Sequence, residues 1–178
     1  MSFFPRGFPG VGGAAMLPRF MRLSDLFPVE DVLVGFHPAD KWEGIRQLVG
    51  HLVARDRLRR ADAPAIVEAV LARERSMSTG MEHGIAIPHA AVDGVDTVVA
   101  CMGIVSEGPG LAFESIDGKP ARVVVLLIIP RAQKLLHIRT LADIARVLGR
   151  DAVREALLAA TDAQGAWAAL AEGEAARR

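Results

Sequence analysis

The residues best suited to chemistry lie in the run Ser-Thr-Gly-Met-Glu-His-Gly-Ile-Ala-Ile-Pro-His, from Ser78 to His89. A polar turn precedes a short apolar strand, Ile85 to Ile87, which is followed by Pro88 and His89. Because proline fixes φ and lacks a backbone donor, we expect Pro88 to stop the strand and to direct His89 outward. The residues alone leave open whether this exposed imidazole is a nucleophile, a metal ligand or a side chain with only a local hydrogen bond.

A neutral imidazole is suited to reversible phosphoryl transfer. Its ordinary pKa is about 6.5, so a useful fraction is free base near neutrality. The free ring nitrogen can attack a phosphoryl group and hold it as a labile phosphoramidate. Such a transfer needs positioning and charge stabilisation more than covalent machinery.

The segment Gly84 to His89, Gly-Ile-Ala-Ile-Pro-His, resembles the phosphorylation motif of the enzyme IIA domains of the mannitol/fructose type. These domains belong to the bacterial phosphoenolpyruvate-dependent phosphotransferase system, and the group includes the nitrogen-regulatory IIA proteins. The resemblance runs from about Arg22 to about Leu170. Further segments follow in the family's order: Arg73-Glu74, Ser78-Thr79-Gly80, Ala112 to Asp117 and His137.

The resemblance implies that His89 accepts the phosphoryl group, with Arg73 and His137 beside it as stabilisers. Preorganised donors aimed at phosphoryl oxygens lower the barrier, and arginine offers a planar fork for them. The alternatives are a solvated helix-end charge for Arg73 and a helix-start cap or half-buried ring for His137. Ser78 and Thr79 either donate to phosphate oxygens next to the site or only cap the turn.

The chain departs from the family's small turn residues at Glu82-His83. A positive φ would be less comfortable there than at glycine or asparagine, and Glu82 could repel an incoming phosphoryl group. Zinc held by His83, His89 and His137 is an alternative that no spacing enforces. We expect no cofactor and no metal.

Length and charge restrict the class of protein. The chain has 178 residues, which suits one domain, and a net charge of zero, which does not favour nucleic acid as a partner. The longest apolar run, Val123 to Ile129, is shorter than the roughly 20 residues of a membrane-spanning helix. The single cysteine, Cys101, is expected in the core, as in a reducing compartment. We therefore expect a cytoplasmic protein without membrane insertion.

Apolar periodicity predicts an α/β domain with helices on both faces of a central sheet, which the resemblance implies is mixed. Asp62 is the expected N-cap of the second helix, with Pro64 in its first turn. Phe113 and Ile116 either frame a docking face or lie in the core. The predicted helices are 40–56, from 63 to about 73–75, 135–148, 151–160 and 163–171, and the predicted strands are 85–87, 97–105 and 122–129.

Composition sets apart a flexible leader at 1–21. The resemblance implies a IIA phosphocarrier domain at 22–172, followed by a tail at 173–178. The leader is rich in Phe, Pro and Gly, and its prolines and glycines would interrupt the apolar core of a secretory signal. Because the family-like sequence begins after Met21, translation starting at Met16 or Met21 is a further hypothesis.

The resemblance implies a phosphohistidine carrier that takes a phosphoryl group from phosphorylated HPr or its nitrogen-branch counterpart. Because these residues include no IIB domain, HPr-like module or membrane helix, we favour a stand-alone nitrogen-regulatory IIA protein that acts on a kinase or transporter. The alternatives are a fructose/mannitol-type sugar-uptake component that passes the group to a IIB cysteine, and a regulatory binding module that no longer accepts phosphate.

Overall fold

The computed structural model describes residues 22–176, which form six α-helices and six strands around one sheet. Short 3-10 turns occupy Val29–Asp31, Arg60–Asp62 and Glu82–Gly84. The helices are α1 Leu23–Leu26, α2 Lys41–Ala54, α3 Ala63–Ser76, α4 Lys134–Leu148, α5 Asp151–Ala159 and α6 Ala163–Ala175. The strands are β1 Val32–Val34, β2 Gly80–Met81, β3 Ile85–Ala86, β4 His89–Val92, β5 Val99–Ile104 and β6 Val123–Pro130.

The sheet is mixed, with strand order β1-β5-β6-β3-β2, and β4 also pairs with β6. Strand β6 runs antiparallel to β5 and parallel to both β3 and β4, while β1 is parallel to β5. Strand β2 is antiparallel to β3. The predicted class, an α/β domain with a central mixed sheet, is confirmed.

Strands β3 and β4 lie end to end along β6. Ile85 is paired with Val123 and His89 with Leu127, four residues further along both strands, so no residue is inserted at the break. The ladder is interrupted at Ile87-Pro88 because proline has no backbone N–H to donate.

The expected exposure of His89 was therefore wrong. Pro88 does interrupt the strand, but His89 begins β4 at once and only 9% of it is exposed. The pairing with β6 resumes immediately beyond the proline, and this pairing draws the imidazole inward rather than into solvent.

Alternate residues of β6 serve two apolar cores, because successive side chains of a strand point to opposite faces. Val124, Leu126 and Ile128 pack on the side of α2 and α3, together with Cys101. The intervening residues pack on the side of α1, α4, α5 and α6. All eight residues of β6 are buried, and each fully buried aliphatic side chain contributes about 1.5–3 kcal/mol. The predicted covering of both faces is thus observed.

The helix caps differ from one another. Asp40 caps α2 by accepting from the backbone N–H of Glu43, 2.7 Å away. Asp62 lies at the N-cap position of α3 as predicted, but its carboxylate does not cap the helix and accepts instead from Arg59 Nε at 2.7 Å. The helical backbone conformation of Asp62 is unlike the extended one of a typical N-cap.

Helix α6 continues to Ala175, and the Glu174 carboxylate accepts from the backbone N–H of Leu23 at 2.8 Å. The predicted leader at 1–21 lies outside the described residues, and the domain boundaries stay a prediction. Among residues 22–176, no helix is both long and apolar enough to cross a membrane.

Candidate active site

The His89 imidazole is oriented by the backbone just before it. Its Nδ1 lies 2.7 Å from the carbonyl oxygen of Ile87. Because a carbonyl can only accept, Nδ1 carries the proton of the neutral ring, and Nε2 keeps its lone pair. The geometry therefore leaves Nε2 as the nucleophilic nitrogen.

His137 lies in the first turn of α4 and meets His89 edge to face. The ring centroids are 5.1 Å apart and the ring planes are inclined by 71°. His137 Nε2 is buried and has no hydrogen-bond partner among the described residues. A buried nitrogen without a partner is costly, so a ligand that reaches it gains a hydrogen bond and removes this cost.

Arg73 lies in the last turn of α3, where its Nη1 donates to the carbonyl oxygen of Met77 at 2.7 Å. Its charge also acts on both histidines, since it lowers the pKa of His89 and of His137. The two interpretations of Arg73 are therefore compatible, because it bonds to the chain at the helix end and also lies within electrostatic reach of the rings.

Burial keeps both imidazoles neutral. For His89, burial is the largest cause of a pKa below the ordinary 6.5. The charge of Arg73, and that of His137 whenever it is protonated, lower this pKa further. The Ile87 carbonyl and Glu74 act in the opposite direction but do not prevail. Burial, followed by Arg73, also lowers the pKa of His137. Near neutral pH the free base predominates in both rings.

Ser78 and Thr79 both donate to a buried carboxylate, that of Glu74. The Ser78 hydroxyl lies 2.9 Å from Glu74 Oε1. The hydroxyl and the backbone N–H of Thr79 lie 2.6 and 2.9 Å from Glu74 Oε2. Both hydroxyl protons are thus directed to Glu74, and these two side chains hold the turn beside the histidines.

Lys41 is a site neighbour that sequence reasoning missed. Its ammonium group lies 3.0 Å from Glu74 Oε1 and 2.8 Å from Glu114 Oε2, over the rings of Trp42 and Phe113. Burial opposes its charge, but the two carboxylates outweigh burial and raise the pKa of Lys41. Lys41, through its hydrogen bond, also lowers the pKa of Glu114 to about 2.

A signal for Lys41 was present in the sequence. Lys41 precedes Ile45, Leu48 and Leu52 at the spacing of one helix face, so it falls on the apolar stripe of α2. A lysine on such a stripe requires a carboxylate partner if it is buried. The identity of that partner is decided by the contact between α2 and α3.

The Glu82-His83 departure is visible in the backbone. His83 has φ of +69°, the conformation that favours glycine or asparagine, and its N–H donates to Asp117 Oδ2 at 2.8 Å. Glu82 and His83 are both exposed. Across residues 22–176, no three His, Cys, Asp or Glu side chains are grouped closely enough to hold a metal ion.

Large exposed apolar side chains are found beside two of the site residues, Arg73 and His137. Leu135 and Ile138 flank His137 in α4, and Met77 receives the bond from Arg73. In the 112–117 loop, Ile116 is 91% exposed whereas Phe113 is buried. Of the two residues considered for a docking face, only Ile116 is available to a partner.

The fold and the site together define an α/β domain with a neutral histidine pair and an arginine where a strand is broken. Residues 25–173 match the family described as "Phosphoenolpyruvate-dependent sugar phosphotransferase system, EIIA 2", and the chain belongs to this family. The resemblance inferred from the motif is thereby confirmed.

Relatives of both functional types are similar to the chain. A "PTS system fructose-specific EIIA component" from Haloferax volcanii is 33% identical over 150 residues, which cover 84% of this chain and 95% of that protein. A "Nitrogen regulatory protein" from Pseudomonas aeruginosa is 33% identical over 127 residues, which cover 71% of this chain and 80% of that protein.

Solved structures agree with the fold. The nitrogen regulatory protein IIA-Ntr from Neisseria meningitidis superposes with a TM-score of 0.73 at 25% identity, covering 83% of this chain and 98% of that one. The mannitol enzyme IIA of Escherichia coli, solved in complex with phosphorylated enzyme IIB, gives a TM-score of 0.69 at 26% identity. The match covers 83% of this chain and 99% of that one.

Proposed function

We propose that this chain is a phosphohistidine carrier of the phosphoenolpyruvate-dependent phosphotransferase system, with Nε2 of His89 as the acceptor. The observation that carries the proposal is the bond from Nδ1 to the Ile87 carbonyl, which leaves the Nε2 lone pair free on a neutral ring. Family membership supplies the phosphoryl chemistry.

Transfer exchanges one bond to phosphorus for another. The bond between phosphorus and the atom that carries it in the donor breaks, and a bond between phosphorus and His89 Nε2 forms. The donor atom recovers its electron pair, and Nδ1 of His89 keeps its proton. The Ile87 carbonyl stabilises the positive charge that the ring acquires while it carries the phosphoryl group.

Arg73 and His137 stabilise the transferring group. Arg73 brings a permanent positive charge within electrostatic reach of both rings. His137 brings a buried nitrogen that lacks a partner in the described structure, and the first turn of α4 adds the positive end of a helix dipole. Ser78 and Thr79 support the turn through Glu74.

The exposed apolar side chains of Met77, Ile116, Leu135 and Ile138 form the surface on which partners dock. The donor is phosphorylated HPr or its nitrogen-branch counterpart, and the location is the cytoplasm. We favour a stand-alone nitrogen-regulatory IIA protein, in which the charge added to His89 changes affinity for a kinase or transporter. Similarity to the Pseudomonas aeruginosa and Neisseria meningitidis proteins supports this assignment.

Sugar uptake is the second candidate function. It is favoured by similarity to the fructose-specific component of Haloferax volcanii and to the mannitol enzyme IIA solved with its phosphorylated IIB partner. In this case the phosphoryl group passes from His89 to a cysteine of a IIB domain.

The test is phosphorylation of the purified chain by phosphoenolpyruvate, enzyme I and HPr or its counterpart from the same organism, read by intact mass. We expect one acid-labile phosphoryl group in the natural sequence and none in His89→Gln, because glutamine offers no basic ring nitrogen. Since His89 is buried, His89→Gln is preferable to His89→Ala, as it keeps more of the side-chain volume.

Phosphohistidine that persists in His89→Gln would contradict the proposal. If the natural sequence is not labelled, the alternative of a regulatory binding module that no longer accepts phosphate is favoured instead. Glu82 would then be the first residue to replace in order to restore phosphorylation. Mixing the labelled chain with a IIB domain then separates the destinations, since the sugar-uptake function requires the label to move to the IIB cysteine.

A further inference from the structure

A buried carboxylate behind the histidine pair is used by none of the chemical steps above. We propose that Glu74 is a positioning residue, which acts through Thr79 and Ile87 to hold His89 in the tautomer that leaves Nε2 free. The proposal rests on the function proposed for His89 and adds the device that selects the acceptor atom.

Glu74 is fully occupied by donors. It is 2% exposed, and each carboxylate oxygen accepts two hydrogen bonds. Oε1 accepts from Lys41 Nζ and from the Ser78 hydroxyl, and Oε2 accepts from the hydroxyl and the backbone N–H of Thr79. A buried carboxylate satisfied by four donors, one of them an ammonium group, has a single strongly preferred geometry.

That geometry is transmitted to the strand break. The carbonyl oxygen of Thr79, whose hydroxyl and N–H are held by Glu74, accepts from the N–H of Ile87 at 3.1 Å. The carbonyl oxygen of the same Ile87 accepts from His89 Nδ1 at 2.7 Å. A continuous path of hydrogen bonds therefore joins Glu74 to the imidazole, with Thr79 and Ile87 as the two residues between them.

The strand break makes this path necessary. Pro88 has no N–H and cannot donate a hydrogen bond to β6. At this residue only its carbonyl takes part in the pairing with β6, by accepting from the N–H of Leu127. The N–H of Ile87 points to the opposite edge of the strand, away from β6, and is held by the Thr79 turn. If the turn moves, the Ile87 carbonyl moves with it, and His89 loses the acceptor that fixes its proton on Nδ1.

The variant that tests the proposal is Glu74→Gln, which keeps the shape and replaces one oxygen by an NH2 group. Whichever way the amide is oriented, its NH2 group faces one group that can only donate, either the Lys41 ammonium or the backbone N–H of Thr79, so the cluster around residue 74 loses at least one hydrogen bond and is perturbed. The matched control is Asp31→Asn. Asp31 is also buried and accepts from His51 and Arg57, but it precedes β1, with β5 and β6 between it and His89.

Two measurements are made on the full chain: the tautomer of His89 by ring-nitrogen NMR, and the rate of phosphoryl transfer from HPr. For Glu74→Gln we expect a substantial population of the Nε2-protonated tautomer and a transfer rate lower by about ten-fold or more, equivalent to about 1.4 kcal/mol. For Asp31→Asn we expect lower thermal stability with the tautomer and the rate unchanged. An intact Nδ1-protonated tautomer and an unchanged rate in folded Glu74→Gln would overturn the proposal.

Thr79→Val covers the case in which Glu74→Gln does not fold, because it removes one donor of the path and keeps the side-chain volume. We expect the same tautomer shift with a smaller loss of rate, and no change in either would overturn the proposal. The tautomer is measured without phosphate. If the natural sequence accepts no phosphoryl group, the function proposed for His89 fails, while the tautomer of each variant still decides the role of Glu74.

Discussion

A comparison of His83 with His89 shows how strongly the chemistry of a histidine depends on the groups around it. The same side chain type is exposed at His83, where no chemistry is proposed, and buried at His89, where burial and the neighbouring Arg73 lower its pKa. The motif drew attention to His89, but the tautomer depends on the Ile87 carbonyl, a backbone atom that every residue type possesses. Residue identity therefore selected the candidate, and local geometry selected the nitrogen atom.

Arg73→Ala tests the electrostatic role at this scale. A positive charge disfavours the protonated form of a nearby imidazole, so its removal raises the pKa of His89 towards 6.5. We expect transfer about ten- to a hundred-fold slower, as for loss of a charge-stabilising donor, with His89 still the labelled residue. We also expect the low-pH midpoint of the transfer rate, which lies below 6.5 in the natural sequence, to move upward. Transfer rates measured against pH give both results.

Arg73→Lys serves as the control because it keeps the charge and loses the planar fork. It should retain the natural pH midpoint even if its rate is lower. If Arg73→Ala leaves both the transfer rate and its pH midpoint unchanged, the electrostatic role is wrong, and Arg73 has only a structural role through its hydrogen bond to the Met77 carbonyl.

At the scale of elements, the site lies where three of them end or begin: the last turn of α3, the first residue of β4 and the first turn of α4. Periodicity predicted the two helices, since α3 and α4 lie within one residue of the predicted ranges. It could not predict that a second strand begins directly after Pro88, because that depends on pairing with β6, about 38 residues further along the chain.

Gly80→Ala tests the close packing of the 112–117 loop on the Ser78-Thr79-Gly80 turn. A Cβ at Gly80 would lie 2.4 Å from the carbonyl oxygen of Glu114, so the loop or the turn must shift. We expect a loss of about 1–3 kcal/mol in the free energy of unfolding, measured with denaturant. Gly50→Ala is the matched control, since it lies in α2 with no atom within 4 Å of its Cβ. It should stabilise by about 0.5–1 kcal/mol, and the same sign for both variants would contradict the packing argument.

At the scale of the whole molecule, folding and protonation of the histidines are linked. Both His89 and His137 have a lower pKa in the folded state than their ordinary 6.5. Between these values the unfolded chain binds more protons, so stability falls as the pH is lowered. The exposed carboxylates of Glu114 and Asp117 also have lowered pKa values, because of Lys41 and of the His83 N–H respectively, but they contribute only below about 4.5.

We therefore expect denaturant unfolding to give a free energy that declines as the pH falls from 6.5 towards 5, before the carboxylates protonate. The double variant His89→Gln, His137→Gln should show a flatter profile over this interval, because neither replacement titrates. An equally steep profile in the double variant would show that other groups cause the acid sensitivity.

The sequence by itself determined the family, the α/β class and the identity of the candidate acceptor. These follow from local properties: periodicity along helices and strands, and the order of short motifs. The tertiary structure decided that His89 is buried, that its proton lies on Nδ1 and that His137 Nε2 lacks a partner among residues 22–176. It also brought Lys41 and Glu74 together from α2 and α3. Such contacts join residues far apart in the chain, and packing of elements, rather than spacing along one element, determines which of them meet.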